Sequence, residues 1–240
     1  MATNIMPSEV MAEQGLSAVT VRRNADLNAF FDALYRWSEA KPRSAPVYQR
    51  GLETRKHIIA SARTAFVRLG YIDCTVEDIL KEASISRGTF YSHFRSKKAV
   101  FAAVVEQHII ARINETGVTD LGDFDYRDRV RATIRRFLEN VADTQDFGMV
   151  IEQAAYYDPG FRTIRLVIRD IFVRRITRGI ERQQRLGAAS TEYSAELSAE
   201  TILSMMTNVA QVEIGWRGKK PNEDMVETMT NFWCAGIGLK

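Results

Sequence analysis

The chain has 240 residues, 45% of them apolar, which is enough to bury the core of one large or two modest domains. It contains no run of about 18 apolar residues that could span a bilayer and no recognisable secretory leader, so we expect a cytoplasmic location and no membrane partner. The two cysteines lie far apart and the three histidines are not clustered, so neither a disulfide framework nor a metal site is expected.

The net charge of +3 is unevenly distributed along the chain. Between Arg50 and Lys98, ten basic residues stand against five acidic ones, a net of +5 that leaves −2 for the remaining residues. Affinity for nucleic acid derives largely from neutralised phosphates and released counterions. The uneven charge therefore favours a segment that binds a polyanion, with an ordinary solvated basic face as the alternative.

The first 51 residues are predicted to be an N-terminal extension. Residues 1–24 show no periodicity and are typical of a mobile arm, whereas apolar residues recur at helical spacing over about 26–40. The run 41–51 contains prolines and a glycine, which predicts a linker. We expect the extension helix to pack on the body of the protein. The alternative is that the extension contacts DNA through basic residues, namely Arg43 and Arg50.

Four helices are predicted within residues 52–112. The first is expected to end near Gly70, where a left-handed residue commonly terminates a helix. Thr75, Ser86 and Ser96 each precede a helical pattern and can cap it through a side-chain hydroxyl. Three tight helices followed by a longer exit helix result from this pattern.

The second and third of these helices have the spacing of a helix-turn-helix motif over residues 75–94. Ile79, Ala83 and Phe90 have positions that would hold the two helices together. The polar residues left on the third helix suit DNA, because arginine can read the guanine edge, serine and threonine can bond base edges, and tyrosine can bond phosphate. The residues predicted to face outward are Arg87, Thr89, Tyr91, Ser92 and His93.

The stretch from Thr75 to Lys97 follows the pattern T-V-x-x-I-x-x-x-A-x-I-S-x-G-T-F-Y-x-H-F-x-S-K, which resembles the DNA-binding domain of the TetR family of transcriptional regulators. It departs from the family at Ser84, where glycine is usual. The resemblance implies a helix-turn-helix domain over 52–112 and a larger helical domain over 113–240 that binds a ligand and dimerises. It also implies DNA contacts from Thr75, Ser86, Arg87, Gly88, Thr89, Tyr91, Ser92, His93 and Lys97.

Beyond residue 118 the sequence predicts long helices, and it contains no alternating pattern typical of strands. Asp158 followed by Pro159 is a helix-start signature. The expected architecture is therefore all-α. The helices are predicted over 130–141, 147–157, 159–184, 197–216 and 222–239.

The resemblance further implies a homodimer, a palindromic DNA operator and a small-molecule effector, with no cofactor. The last two helices are apolar on more than one face, which supports a dimer contact, although an ordinary core is the alternative. The predicted dimer residues are Met206, Val209, Met225, Met229, Phe232 and Trp233. A pocket for an apolar or aromatic effector would be lined by Phe137, Phe147, Met149, Tyr156, Tyr157, Phe161, Phe172, Met205 and Trp216.

Two other classes of protein are alternatives to a DNA-binding regulator. An enzyme is disfavoured, because the sequence has no GxSxG motif, no histidine pair at metal-ligand spacing and no glycine-rich loop that opens a helix. A helical carrier of small molecules or lipids with a vestigial DNA-binding module is the alternative. A vestigial module would be expected to lose the residues that contact DNA. The predicted recognition segment retains its arginine, threonine, tyrosine and lysine, which argues against this alternative.

Overall fold

The computed structural model describes residues 25–39, 49–115 and 125–240. These residues form nine α-helices and no β-strand, which confirms the all-α prediction. The predicted arm, the linker with Arg43 and the side chain of Arg50 lie outside the described residues. The helices are α1 (Ala25–Ser38), α2 (Gln49–Asp73), α3 (Val76–Ala83), α4 (Arg87–His93), α5 (Lys97–Glu115), α6 (Tyr126–Tyr157), α7 (Pro159–Arg185), α8 (Ala195–Ala210), which continues in a π-helical turn (Gln211–Trp216), and α9 (Glu223–Gly236).

Several helix ends follow the local signals in the sequence. Asp158 caps α7, with its Oδ1 accepting hydrogen bonds from the backbone N–H groups of Gly160 and Phe161 at 2.9 and 3.2 Å. Gly70 has a φ of 77° and interrupts the helical backbone three residues before α2 ends. The prediction of two helices over 130–157 is wrong, because α6 is continuous there. A single glycine such as Gly148 costs a helix only about 1 kcal/mol and does not end it.

The described residues divide into two compact units. The first unit comprises residues 25–108 and 150–167, and the second comprises residues 109–149 and 168–240. Within the described residues, no helix is both long enough and apolar enough to cross a bilayer. The domain boundaries expected from the sequence, after residues 51 and 112, stay predictions.

Helix α1 packs into the core of the first unit. Phe30, Phe31 and Leu34 are buried completely or almost completely. The indole N–H of Trp37 donates to the Oδ2 atom of Asp158 at 3.1 Å, and the Trp37 ring centroid lies 5.0 Å from that of Phe161. The extension helix therefore packs on the body of the protein, as expected from its apolar stripe.

A buried carboxyl group also joins α1 to α5. The Tyr35 hydroxyl donates to the Oε1 atom of Glu106 at 3.0 Å, and Glu106 is only 5% exposed. Burial raises the pKa of Glu106 to about 7, against the opposing effects of the Tyr35 hydrogen bond and the charge of Arg55. The folded protein therefore takes up a proton at this site near neutral pH.

The raised pKa makes the stability of the fold depend on pH. The folded-state pKa of Glu106 lies above its unfolded value. Glu106 therefore contributes fully to the free energy of unfolding below about pH 4.5, and this contribution is lost as the pH rises through about 7. The free energy of unfolding should fall by at most about 3 kcal/mol over this pH range because of Glu106. We expect Glu106→Gln to remove most of that fall. Denaturant unfolding at pH 5.5 and 8 measures it, with the exposed Glu192→Gln as the control. Equal pH dependence in the Glu106 variant and the wild type would contradict the assignment.

The second unit has its own core, built from α6, the later part of α7, α8 with its π-helical turn, and α9. Ile134 and Leu138 of α6 are fully buried and belong to the same cluster as Met206, Met229 and Trp233. These last three residues fill the chain's own core, and their part in a dimer contact stays a prediction. Val209 and Met225 are half-buried, and only Phe232 of the predicted set is largely exposed, at 66%.

The residues predicted to line an effector pocket differ widely in exposure. Phe137, Phe147 and Phe161 are buried, whereas Phe172 and Met205 are half-buried. Four are surface side chains. These four are Met149, Tyr156, Tyr157 and Trp216, with exposures of 54%, 75%, 63% and 66%. The pocket itself stays a prediction.

Candidate nucleic-acid interface

The first helix of the motif, α3, begins with a complete capping box. The hydroxyl of Thr75 accepts a hydrogen bond from the Asp78 backbone N–H at 3.2 Å, and the Asp78 carboxylate accepts from the Thr75 backbone N–H at 3.0 Å. The Thr75 hydroxyl also donates to Asp78 Oδ2 at 2.6 Å. These bonds lower the pKa of the Asp78 carboxyl group. The reciprocal arrangement fixes where α3 starts and holds Thr75 on the surface.

The turn between α3 and α4 is built around a left-handed serine. Ser84 has φ 51° and ψ 43°, and its N–H donates to the Lys81 carbonyl at 3.2 Å. The Ile85 N–H donates to the Leu80 carbonyl at the same distance. A ring nitrogen of His57 lies 2.9 Å from the Ala83 carbonyl oxygen, so α2 satisfies a carbonyl at the end of α3. The turn is thus held by hydrogen bonds on both sides.

Ser84→Gly is expected to stabilise the fold modestly. Serine pays a steric cost of about 1–2 kcal/mol in the left-handed region that glycine does not, while glycine adds entropy to the unfolded chain worth about 0.5–1 kcal/mol. The net gain should be about 0.5–1 kcal/mol in the free energy of unfolding, measured by denaturant titration. Ser84→Ala, which keeps the steric cost, is the control and should give no gain. A destabilised glycine variant would contradict this account.

Helix α4 is attached to the first unit by two phenylalanines. Ser86 caps the helix by accepting a hydrogen bond from the Thr89 backbone N–H at 3.1 Å. Phe90 and Phe94 are buried, with ring centroids 5.9 Å apart, and the Arg55 guanidinium lies 4.4 Å from the Phe94 ring centroid. Both the predicted cap and the predicted anchors are confirmed. They determine which face of α4 points away from the core.

The opposite face of α4 carries the polar residues expected from the sequence. Tyr91 is 45% exposed. The Thr89 hydroxyl lies 2.9 Å from the Ser86 hydroxyl, and the Ser92 hydroxyl donates to the Thr89 carbonyl at 2.7 Å. Of the candidate DNA contacts, the exposed ones are Thr75, Ser86, Arg87, Gly88, Tyr91 and Ser92, and the half-buried ones are Thr89, His93 and Lys97. The nine residues belong to the caps of α3 and α4, to α4 itself and to the start of α5, and their contact with DNA stays a prediction.

Gly88 is not required by the packing of the chain on itself. A β-carbon added there would approach no closer than 3.8 Å to the Ser86 hydroxyl, which is an ordinary contact. Glycine is costly inside a helix by about 1 kcal/mol relative to alanine. A small residue at this exposed position therefore suits the close approach of another surface to the α4 backbone.

Lys97, at the start of α5, is held by the end of α2. Its ammonium donates to the backbone carbonyls of Tyr71, Ile72 and Cys74 at 2.8, 3.1 and 2.8 Å, and it lies 4.8 Å from the Tyr71 ring centroid. Partial burial lowers the pKa of the Lys97 ammonium. Three carbonyls match the three N–H donors of an ammonium group. A phosphate contact by Lys97 stays a prediction, and it would require the ammonium to leave at least one of these carbonyls.

We expect Lys97→Met to lower the free energy of unfolding by about 1–2 kcal/mol, because the carbonyls at the end of α2 lose a charged donor. Denaturant unfolding measures this loss. Lys81→Met, at an exposed position on α3, is the control and should change stability by less than about 0.5 kcal/mol. Equal effects of the two substitutions would show that the carbonyl contacts contribute nothing.

The geometry defines a class of protein. Helices α3 and α4 form a helix-turn-helix, with a capped α3 and a turn that is fixed by hydrogen bonds. The short α4 has a buried aromatic side and an exposed polar side, and the described part of the chain around the motif is all-α. This is the arrangement of a DNA-binding transcriptional regulator.

Comparison with known proteins identifies the family. Residues 58–104 match the sequence model of the bacterial regulatory proteins of the tetR family. The chain is 25% identical over 169 residues to the uncharacterised HTH-type transcriptional regulator YdgC of Bacillus subtilis, covering 68% of this chain and 82% of that one. It is 32% identical over 87 residues to the HTH-type transcriptional repressor NemR of Escherichia coli, covering 36% of this chain and 44% of that one.

The fold also matches solved structures. The structure of GusR from Salmonella enterica superposes with a TM-score of 0.66 at 16% identity, covering 80% of this chain and 98% of that one. Residues 58–104 thus form a DNA-binding domain of the tetR family type, as the motif predicted. The similarity to NemR spans less than half of that repressor.

The structure also shows a contact that sequence reasoning missed. Glu77, in the first turn of α3, forms an ion pair with Arg87 at the start of α4. An acidic residue in a first turn is explained by the helix dipole alone, so nothing in the local pattern assigns Glu77 a partner on α4. The ten-residue separation of the partners becomes informative only once the turn between the helices is known.

Proposed function

We propose that this regulator is a ligand-responsive repressor that binds a palindromic operator as a homodimer. The observation that supports it best is the polar face of α4, where Arg87, Tyr91 and Ser92 are exposed. Helix α4 would enter the major groove while α3 braces against the backbone. In a homodimer the two α4 helices would lie about 34 Å apart or slightly more, which corresponds to one turn of DNA.

The side chains of this face suggest individual roles. Arg87 would read a guanine edge, and Thr89 and Ser92 would bond base edges or contact a thymine methyl group. Tyr91 and His93 would contact the DNA at the groove, and Ser86 and Gly88 would allow the helix backbone to approach. Thr75 and Lys97, at the starts of α3 and α5, would hold the phosphate backbone on either side.

The dimer would form through the outer surface of α8 and α9. The core side of these helices is filled by their own unit, but Phe232 and Leu197 are 66% and 68% exposed. Large apolar side chains on the surface of a helix pair favour contact with a second copy. Sedimentation of the purified chain tests this step, and a monomer at concentrations that saturate DNA would contradict it.

Release by an effector requires a modest coupling between two sites. A coupling of about 1–3 kcal/mol, or 5- to 150-fold in affinity, suffices for a switch. Helix α5 is the natural lever, because it begins directly after α4 and carries residues of both units. The large apolar and aromatic side chains of the second unit favour an apolar or aromatic effector. Repression rather than activation is supported by the similarity to NemR, whose name describes a repressor.

Footprinting on the DNA that flanks the gene tests the site and the switch together. We expect the purified chain to protect an inverted repeat, and an apolar or aromatic compound to remove that protection. A footprint that no compound affects would leave a DNA-binding protein without the proposed switch. Ligand binding with no protection of any DNA would favour the second candidate, a helical carrier with a vestigial DNA-binding module.

A further inference from the structure

We propose that Glu77 is a specificity-determining residue that orients Arg87 toward a base edge and disfavours its use as a general phosphate contact. This inference rests on the proposed DNA-binding function of α4. It assigns a role to a carboxylate that lies on the DNA-facing side of the motif, where a negative charge would otherwise only repel phosphate.

The contact joins the two helices of the motif at their starts. Glu77 belongs to the first turn of α3 and Arg87 is the first residue of α4, and their side chains are 50% and 65% exposed. The cap of α3 is complete without Glu77, because Thr75 and Asp78 satisfy each other. Glu77 is therefore available to hold Arg87 and is not needed to start the helix.

The geometry of a guanidinium allows Arg87 to bind two partners at once. The ion pair uses the Nη2 atom of Arg87 and the Oε1 atom of Glu77. A guanidinium carries five N–H donors in a rigid planar fork, so it can keep a carboxylate on one edge and present another edge to the O6 and N7 atoms of guanine. With guanine present, Arg87 reads the base and Glu77 remains neutralised.

The same contact penalises DNA without guanine at that position. Where Arg87 must turn away from Glu77 to reach a phosphate, it leaves Glu77 as an unpaired negative charge beside the DNA backbone. Like charges at close range raise the free energy of that complex, so the alternative contact gains less than it would on a motif without the carboxylate. Glu77 therefore acts on the ratio of specific to random binding more than on affinity itself.

The test is the affinity of full-length variants for two duplexes, one that the wild type selects from random-sequence DNA and one of random sequence. For Glu77→Gln we expect affinity for random DNA to rise about 3- to 10-fold, and the preference for guanine at one position to weaken about 10-fold. Retention of the guanine preference within two-fold would overturn the proposal. Thermal unfolding of the variant checks that the fold is intact.

Two further variants test whether the change in base preference comes from the contact with Arg87 or from the loss of a negative charge on α3. Glu82→Gln removes the same charge from α3, but Glu82 pairs with Arg68 on α2 at 3.4 Å, so it should leave the guanine preference unchanged. In an Arg87→Ala background, Glu77→Gln should no longer alter base preference. Equal loss of preference in the Glu77 and Glu82 variants would overturn the inference. If the wild type selects no sequence at all, the proposed function fails instead, and the two failures are distinguishable.

Discussion

Phe31→Ala is expected to lower the free energy of unfolding by about 3–5 kcal/mol, because truncation of a fully packed phenylalanine removes its burial and leaves a cavity. Phe31 is 1% exposed, and its ring centroid lies 5.2 Å from that of Phe30 and 6.2 Å from that of Tyr35. Denaturant unfolding of the full-length chain measures the loss. The extension helix would then count as an integral part of the fold.

The matched control for this prediction lies three residues earlier on the same helix. Asn28 is exposed on α1, so Asn28→Ala should change the free energy of unfolding by less than about 0.5 kcal/mol. A loss below about 1 kcal/mol for Phe31→Ala would show that α1 contributes little to the first unit. That result would favour the alternative hypothesis, in which the extension contacts DNA.

Arg87→Ala is expected to weaken binding to a selected operator by about 1–3 kcal/mol and to relax the preference at one base position. The loss on random DNA should be smaller, because a base contact contributes nothing where the base is wrong. Fluorescence anisotropy titrations with both duplexes measure the two losses. Lys56→Ala removes the same charge from an exposed position on α2 and serves as the control.

Equal losses on selected and random DNA would identify Arg87 as a phosphate contact. A salt titration adds an independent criterion, because each phosphate contact removed lowers the slope of log affinity against log salt by about one unit. An unchanged slope together with relaxed base preference is the result expected for a residue that reads guanine.

The features that sequence reasoning predicted correctly are local ones. The caps formed by Thr75, Ser86 and Asp158 each depend on a side chain and a backbone N–H within three residues. Their geometry is fixed by helix chemistry and needs no tertiary context. The apolar faces that hold α4 to the first unit were predictable for the same reason, since a helical period determines which residues share a side.

The features that sequence reasoning missed depend on long-range contacts. The carbonyls around Lys97 come from residues 23 to 26 positions earlier, and Glu77 meets Arg87 across a turn. Helical spacing cannot distinguish a residue that fills its own core from one that meets a second copy, so the burial of Met206 and Trp233 was not predictable from their spacing. The exposure of Tyr156 likewise depends on which other parts of the chain pack against α6.

The most direct test of the account is selection of DNA by the chain from a random-sequence library, in parallel with a variant whose α4 face is changed by Arg87→Ala and Tyr91→Ala. Neither substitution replaces the buried anchors Phe90 and Phe94, although Tyr91→Ala removes a ring whose centroid lies 5.3 Å from that of Phe90, so thermal unfolding checks that the fold persists. The account predicts that the wild type enriches an inverted repeat with half-sites about one helical turn apart, and that the variant enriches no sequence. Enrichment of the same repeat by both proteins, or of none by the wild type, would contradict the claim that α4 reads DNA.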